Sequence, residues 1–210
     1  MLSLRNLLAA HAPLLVIDAA SVRIHIGLFS ADGSGRWAAR DEEAGIAIFR
    51  GIEQLGVDLD GVRAFAFCEG PGSTLGIRTA AMALRTWDVL APRPAFAYGS
   101  LALIAQASDA REGGVIADAR RDSWHYQTRG EPLRRIPTAE LPGRLLTPAP
   151  FRHWTPLPDG VELTPYEPAD LLLRTIDNLL FRPAPAPDAF QHDEPSYVTW
   201  TPKIHRPTPP

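Results

Sequence analysis

Glu69-Gly70-Pro71-Gly72-Ser73-Thr74-Leu75-Gly76-Ile77-Arg78 is a glycine-rich elbow between two apolar stretches. Residues 62–68 before it read as a buried strand, and residues 79–90 after it read as a helix. Gly70, Gly72 and Gly76 permit backbone angles and close approaches that a side chain forbids, and Pro71 fixes one φ inside the turn. Ser73 or Thr74 can cap the helix by accepting from its free N–H groups. A helix start of this kind attracts an anion or lets another backbone pack closely.

Working outward, Leu14-Leu15-Val16-Ile17-Asp18 is an apolar strand ending in an acid, followed by the small-residue turn Ala19-Ala20-Ser21. Residues 23–29 alternate as a half-buried strand does, and Asp32-Gly33-Ser34-Gly35 signals a hairpin to a third strand at 36–40. Residues 43–55 read as a helix with Ile48, Ile52 and Leu55 on one side, widened by Ile46 and Phe49. A short strand at 95–98 follows, then a helix at 101–107 capped by Ser100. Three meandering strands followed by alternating helices and strands imply a mixed sheet with helices on both faces. Two units are expected, 1–108 and 109–210. The second carries strands at 115–121 and 124–129, an irregular proline-rich stretch at 131–165 with short strands at 145–146 and 161–163, a helix at 168–181, a stiff linker at 183–187 and an edge strand near 194–200.

Composition narrows the function classes. The 210 residues carry a formal net charge of −3, so no global basic field exists to hold nucleic acid. The single cysteine, Cys68, cannot form an internal disulfide and reads as a small buried apolar residue. With no apolar leader and no run long enough to span a bilayer, the expectation is a cytoplasmic protein without membrane contact. The six histidines show no ligand spacing, so no metal is expected. Ser73 lacks the Gly-x-Ser-x-Gly setting of a hydrolase nucleophile. Arg120-Arg121 with Trp124 and Tyr126 could contact RNA by charge and stacking, although paired hairpin arginines are more often simply solvated.

In combination these residues resemble the bacterial TsaB (YeaZ) family, which serves the synthesis of threonylcarbamoyladenosine in tRNA. The resemblance rests on Ile17-Asp18 with its small-residue turn and on Gly70-Pro71-Gly72-Ser73 with Gly76-Ile77-Arg78. It rests also on Tyr98-Gly99-Ser100-Leu101, on Asp118-Ala119-Arg120-Arg121, and on Glu194-Pro195-Ser196-Tyr197 near the C-terminus. The chain departs from the family at Thr74-Leu75, where Phe-Thr is usual, and at Ala19-Ala20, where Thr-Ser is usual. The resemblance implies an actin/Hsp70-like (ASKHA) fold of two subdomains. It implies a non-catalytic scaffold subunit that binds and activates a homologous catalytic transferase (TsaD-like), helps recruit an ATPase (TsaE-like), and meets tRNA indirectly, with no cofactor of its own. Asp18 and Asp118 stand where a vestigial nucleotide site would lie. Ile48, Phe49 and Ile52 on one helix, with Ile77, Ala81 and Leu84 on the next, are expected to form the pairing surface. Two other readings remain open: an actin-like ATPase or kinase in which Asp18 arranges magnesium, and a homodimeric binding module. A peptidase reading finds no nucleophile or ligand set in the sequence.

Overall fold

The computed structural model describes residues 1–108 and 113–190. A first sheet opens with β1 (Leu14–Asp18), β2 (Ile24–Phe29) and β3 (Gly35–Arg40), an antiparallel meander. Helix α2 (Ala44–Leu55) crosses to β4 (Ala64–Gly70), which lies parallel to β1. Helix α3 (Thr74–Leu90) then leads to β5 (Ala95–Gly99), parallel to β4. The short α1 (Leu4–His11) precedes β1, and α4 (Ser100–Ala107) follows β5. A second sheet contains β6 (Gly114–Asp118), β7 (Ser123–Gln127), β8 (Arg134–Pro137), β9 (Leu145–Ala149) and β10 (Glu162–Pro165), in the order β10-β9-β6-β7-β8. After α5 (Pro168–Arg174) the chain returns to the first sheet, where β11 (Arg182–Pro183) pairs antiparallel with β5. The first sheet thus runs β11-β5-β4-β1-β2-β3.

Burial follows the polarity of the strands. All five residues of β1 are buried, as a central strand covered on both faces requires. Ile26 faces α2, where a Cβ on Gly51 would stand 2.5 Å from its Cδ1. That glycine lets the helix settle onto the sheet. His25, one residue away, therefore points to the opposite face. Helices α2 and α3 pack against each other on one side of the sheet; α4 touches strands of both sheets and packs against α5. Among the described residues, no helix is long and apolar enough to cross a membrane.

Several expectations need correction. Helix α3 starts at Thr74 rather than at residue 79, because Ser73 caps it and Gly76 fits in its first turn. The N-cap of α4 is Gly99, with Ser100 already helical; the Ser100 hydroxyl instead donates to the Pro71 carbonyl at 2.5 Å. Within 131–165 the short strands expected at 145–146 and 161–163 are present as β9 and β10, and β8 is added to them. Helix α5 stops at Arg174, where the Thr175 hydroxyl bonds back to the Leu171 carbonyl, and the following turn brings Phe181 to bridge Leu2. The proline run at 183–187 begins as an edge strand rather than a linker, with Ala184 N–H donating to the Ala95 carbonyl. The helix α1 was not foreseen, although Leu4, Leu7 and Leu8 behind a Ser3 cap carry its signal. The strand expected near 194–200, with Glu194-Pro195-Ser196-Tyr197, lies outside the described residues.

Candidate functional site

A cleft of about 570 Å³ opens between the first sheet and the second. One wall is the elbow, with Gly72, Ser73 and Arg78, beside the β1–β2 turn. The other is the β6–β7 turn with Arg120, joined by Arg152 and Trp154 from the loop after β9.

The elbow is built for close packing. Gly70-Pro71 is a cis peptide. Ser73 N–H donates to the Ala20 carbonyl at 2.7 Å, and Gly76 N–H to the Ser73 hydroxyl at 3.4 Å. A Cβ on Gly72 would stand 2.2 Å from the Ala20 oxygen, and one on Gly76 2.5 Å from the Ala19 oxygen. Of the two uses open to this motif, backbone-on-backbone packing is the one realised: the glycines seat the start of α3 against the turn that follows β1. Arg78 remains about half exposed, 4.0 Å from Asp188.

Asp18 is not part of the cleft. It is fully buried, its Oδ1 accepting from Ala20 N–H at 3.0 Å and its Oδ2 from the hydroxyls of Tyr98 and Tyr166, both at 2.6 Å. Burial, reinforced by the Asp18 carboxylate, pushes both tyrosines well above the ordinary phenol range. Cys68 Sγ lies 3.7 Å from the Tyr166 hydroxyl, and burial, chiefly, pushes its thiol up as well. An acid turned inward onto two phenols is a structural clasp, and its carboxylate does not face the cleft.

Asp118 does line the cleft, but its oxygens are engaged. Oδ1 accepts from Arg120 N–H at 2.6 Å; Oδ2 accepts from Thr155 N–H at 2.7 Å and from Trp154 N–H. Desolvation pushes this carboxyl up, but the hydrogen bonds from Thr155, Arg120 and Trp154 outweigh it and hold the group below its ordinary value. Asp118 therefore ties the β6–β7 turn to the loop after β9. Among the described residues, no three His, Cys, Asp or Glu side chains gather as a metal site.

The turn held by Asp118 is unusual. Arg120, Arg121 and Asp122 have φ of 62°, 54° and 53°, three consecutive non-glycine residues in left-handed backbone. Each such residue costs about 1 kcal/mol or more, so the surroundings must impose the shape. They do so through Ser123 N–H and hydroxyl on the Arg120 carbonyl, Thr138 N–H on the Asp122 carbonyl, and Arg135 on the Ala119 carbonyl. The Arg120 guanidinium lies 5.3 Å over the Trp154 ring. Trp124 and Tyr126, the aromatics expected to stack with these arginines, are buried; the exposed aromatic beside them is Trp154, at 69%. Sequence reading missed it because the loop joins this wall only through the fold.

The expected pairing residues also need correction. Ile48, Ile52, Ile77, Ala81 and Leu84 are buried within the chain itself, and only Phe49 is exposed, at 54%. Covering the sheet uses the face that the periodicity emphasised. What the two helices leave in water is a neighbouring stripe: Ile46 and Phe49 on α2, with Leu75, Met82 and Val89 on α3. Positions 75, 82 and 89 recur every seventh residue, so they line one side of the helix. Phe49 meets Trp87 edge-on, with ring centroids 6.2 Å apart, which joins the two helices beneath the stripe.

No family model and no curated protein match the sequence. Solved structures do match. YeaZ from Pseudomonas aeruginosa aligns with a TM-score of 0.57 at 19% identity, over 77% of this chain and 89% of that one. A protein described as similar to peptidase YeaZ from Pseudomonas aeruginosa aligns with a TM-score of 0.55 at 18% identity, over 76% and 89%. These likenesses show the fold: the chain shares the mixed α/β architecture of those two structures.

Proposed function

We propose that this chain is a TsaB-type subunit of a tRNA threonylcarbamoyladenosine system, and that it acts by pairing rather than by its own chemistry. The observation that carries this is the set of exposed apolar residues on two helices that pack together, Ile46 and Phe49 on α2 and Leu75, Met82 and Val89 along α3. Large apolar side chains grouped in water mark a contact surface. Burying them against a second helical pair returns about 25 cal/mol per Å² of apolar area, less the entropy of association. The fold likeness and the Gly70–Arg78 elbow support a homologous transferase as the partner, with an ATPase subunit recruited to the pair. On this reading the chain shifts its partner toward an active conformation, and threonylcarbamoyl transfer takes place on the partner.

Leu84→Arg is no probe of this surface, because Leu84 is buried and a charge there would damage the core. The sound probe is Phe49→Arg combined with Met82→Arg, two exposed positions. The expected result is loss of co-elution with the transferase subunit with the helical circular dichroism kept, the stability falling by no more than the lost Phe49–Trp87 ring contact, about 1 kcal/mol. Retained co-elution overturns the reading. Sedimentation of the chain alone reads the competing outcome, self-pairing through the same stripe.

A further inference from the structure

We propose that the cleft wall formed by the β6–β7 turn and the loop after β9 is a contact site for unpaired RNA. The Trp154 indole stacks one base, and Arg120 and Arg152, which line the cleft, with the exposed Arg121 beside them on the turn, hold the flanking phosphates. That the strand is RNA rests on the function proposed above; the site itself rests on four observations.

Trp154 is 69% exposed, an uncommon position for the largest side chain, and its backbone N–H is fixed by Asp118. Arg120 lies 5.3 Å over that indole, so charge and aromatic surface are already aligned. The turn that presents Arg120 and Arg121 is held in left-handed backbone at three successive non-glycine residues, against its intrinsic preference. The local charge is positive in spite of the chain's net −3. Arg120, Arg121 and Arg152 make no ion pair among the described residues. Against these three arginines stand two acids, Asp118 and Asp122, so the wall carries a formal surplus of one positive charge. Across the cleft Glu69 is paired with Arg182.

The same geometry disfavours a free polyphosphate. A triphosphate with its metal needs open carboxylates. Asp18 is turned inward, and Asp118 is engaged. What the cleft offers instead is an aromatic plane with spaced guanidinium groups, the pairing that single strands use. Its volume of about 570 Å³ admits a nucleoside.

The test is fluorescence anisotropy of a labelled eight-nucleotide single-stranded RNA with the full chain. The matched DNA strand, the matched RNA duplex and AMP serve as competitors. Saturable binding is expected, with each competitor at least tenfold weaker. Trp154→Ala should weaken binding about tenfold, the stacking contribution of one base, and Trp154→Phe should restore most of it. Three phosphate contacts give a slope of about −2 in log affinity against log salt, and Arg152→Ala should reduce its magnitude by about 0.7. Circular dichroism and the thermal midpoint should not change in the variants, since all the altered residues are exposed. No saturable binding, a DNA strand or AMP that competes as well as RNA, or a Trp154→Ala variant that binds like the unaltered chain overturns the proposal. The α2–α3 stripe is assayed separately: Trp154→Ala should keep co-elution with the transferase, and Phe49→Arg with Met82→Arg should keep RNA binding. Failure of one reading is thereby distinguished from failure of the other.

Discussion

Asp18 shows how far one side chain's role depends on where its neighbours arrive. Its carboxylate joins β1 to Tyr98 on β5 and to Tyr166, just beyond β10, each hydroxyl at 2.6 Å. These contacts span 80 and 148 positions of the chain, and both tyrosines are fully buried. A hydrogen bond to a charged group contributes about 1.5–3 kcal/mol, so Tyr166→Phe should lower the unfolding free energy by about 2 kcal/mol. Urea unfolding of the two proteins measures it; a loss below about 0.5 kcal/mol would mean that the clasp carries no net weight. From sequence Asp18 was legible as an acid closing the first strand. That it faces inward was not, because neither tyrosine lies near it in the chain.

Among the elements, the elbow is where sequence and structure agree most closely. Strand β4, a glycine turn and helix α3 follow in the expected order, and Ser73 caps the helix as its residue type suggests. Only the structure shows what the glycines face. Gly72→Ala would drive a Cβ to 2.2 Å from the Ala20 oxygen, a backbone atom that cannot rotate away. The expected cost is about 2 kcal/mol from overpacking, together with loosening of the β1–β2 turn, read as faster amide exchange at Ser73. Unchanged protection at Ser73 would show that the close approach is dispensable. The helices teach the complementary lesson. Spacing places Ile48, Ile52 and Leu55 on one apolar ridge, but spacing cannot say whether a ridge meets its own sheet or another molecule. Once the sheet has taken them, Phe49, Met82 and Val89 are left outside.

For the whole molecule, burial of a titratable group makes stability depend on pH. His25 is 3% exposed, beneath the sheet face opposite α2, and its Nε2 has no hydrogen-bond partner among the described residues. Desolvation holds its imidazole below the ordinary value of about 6.5, against the opposing pull of Asp18, Glu167 and Asp41, with Arg23 acting in the same direction as burial. The folded value lies below the unfolded one, so as pH falls through about 6.5 the unfolded chain takes the proton first and stability drops. Unfolding free energies at pH 7.5 and 5.5 should therefore differ more for the unaltered protein than for His25→Gln; equal differences would remove His25 as the cause. At this scale the division between sequence and fold is clear. The order of strands and helices from β1 to α4, the elbow and its cap, the buried cysteine and the mixed α/β class follow from sequence, because they depend on local periodicity and turn chemistry. The inward turn of Asp18, the return of Arg182–Pro183 to the first sheet and the meeting of Trp154 with Arg120 required the tertiary structure. Each joins residues far apart in the chain, and such contacts are set by how packed layers close on one another rather than by any local pattern.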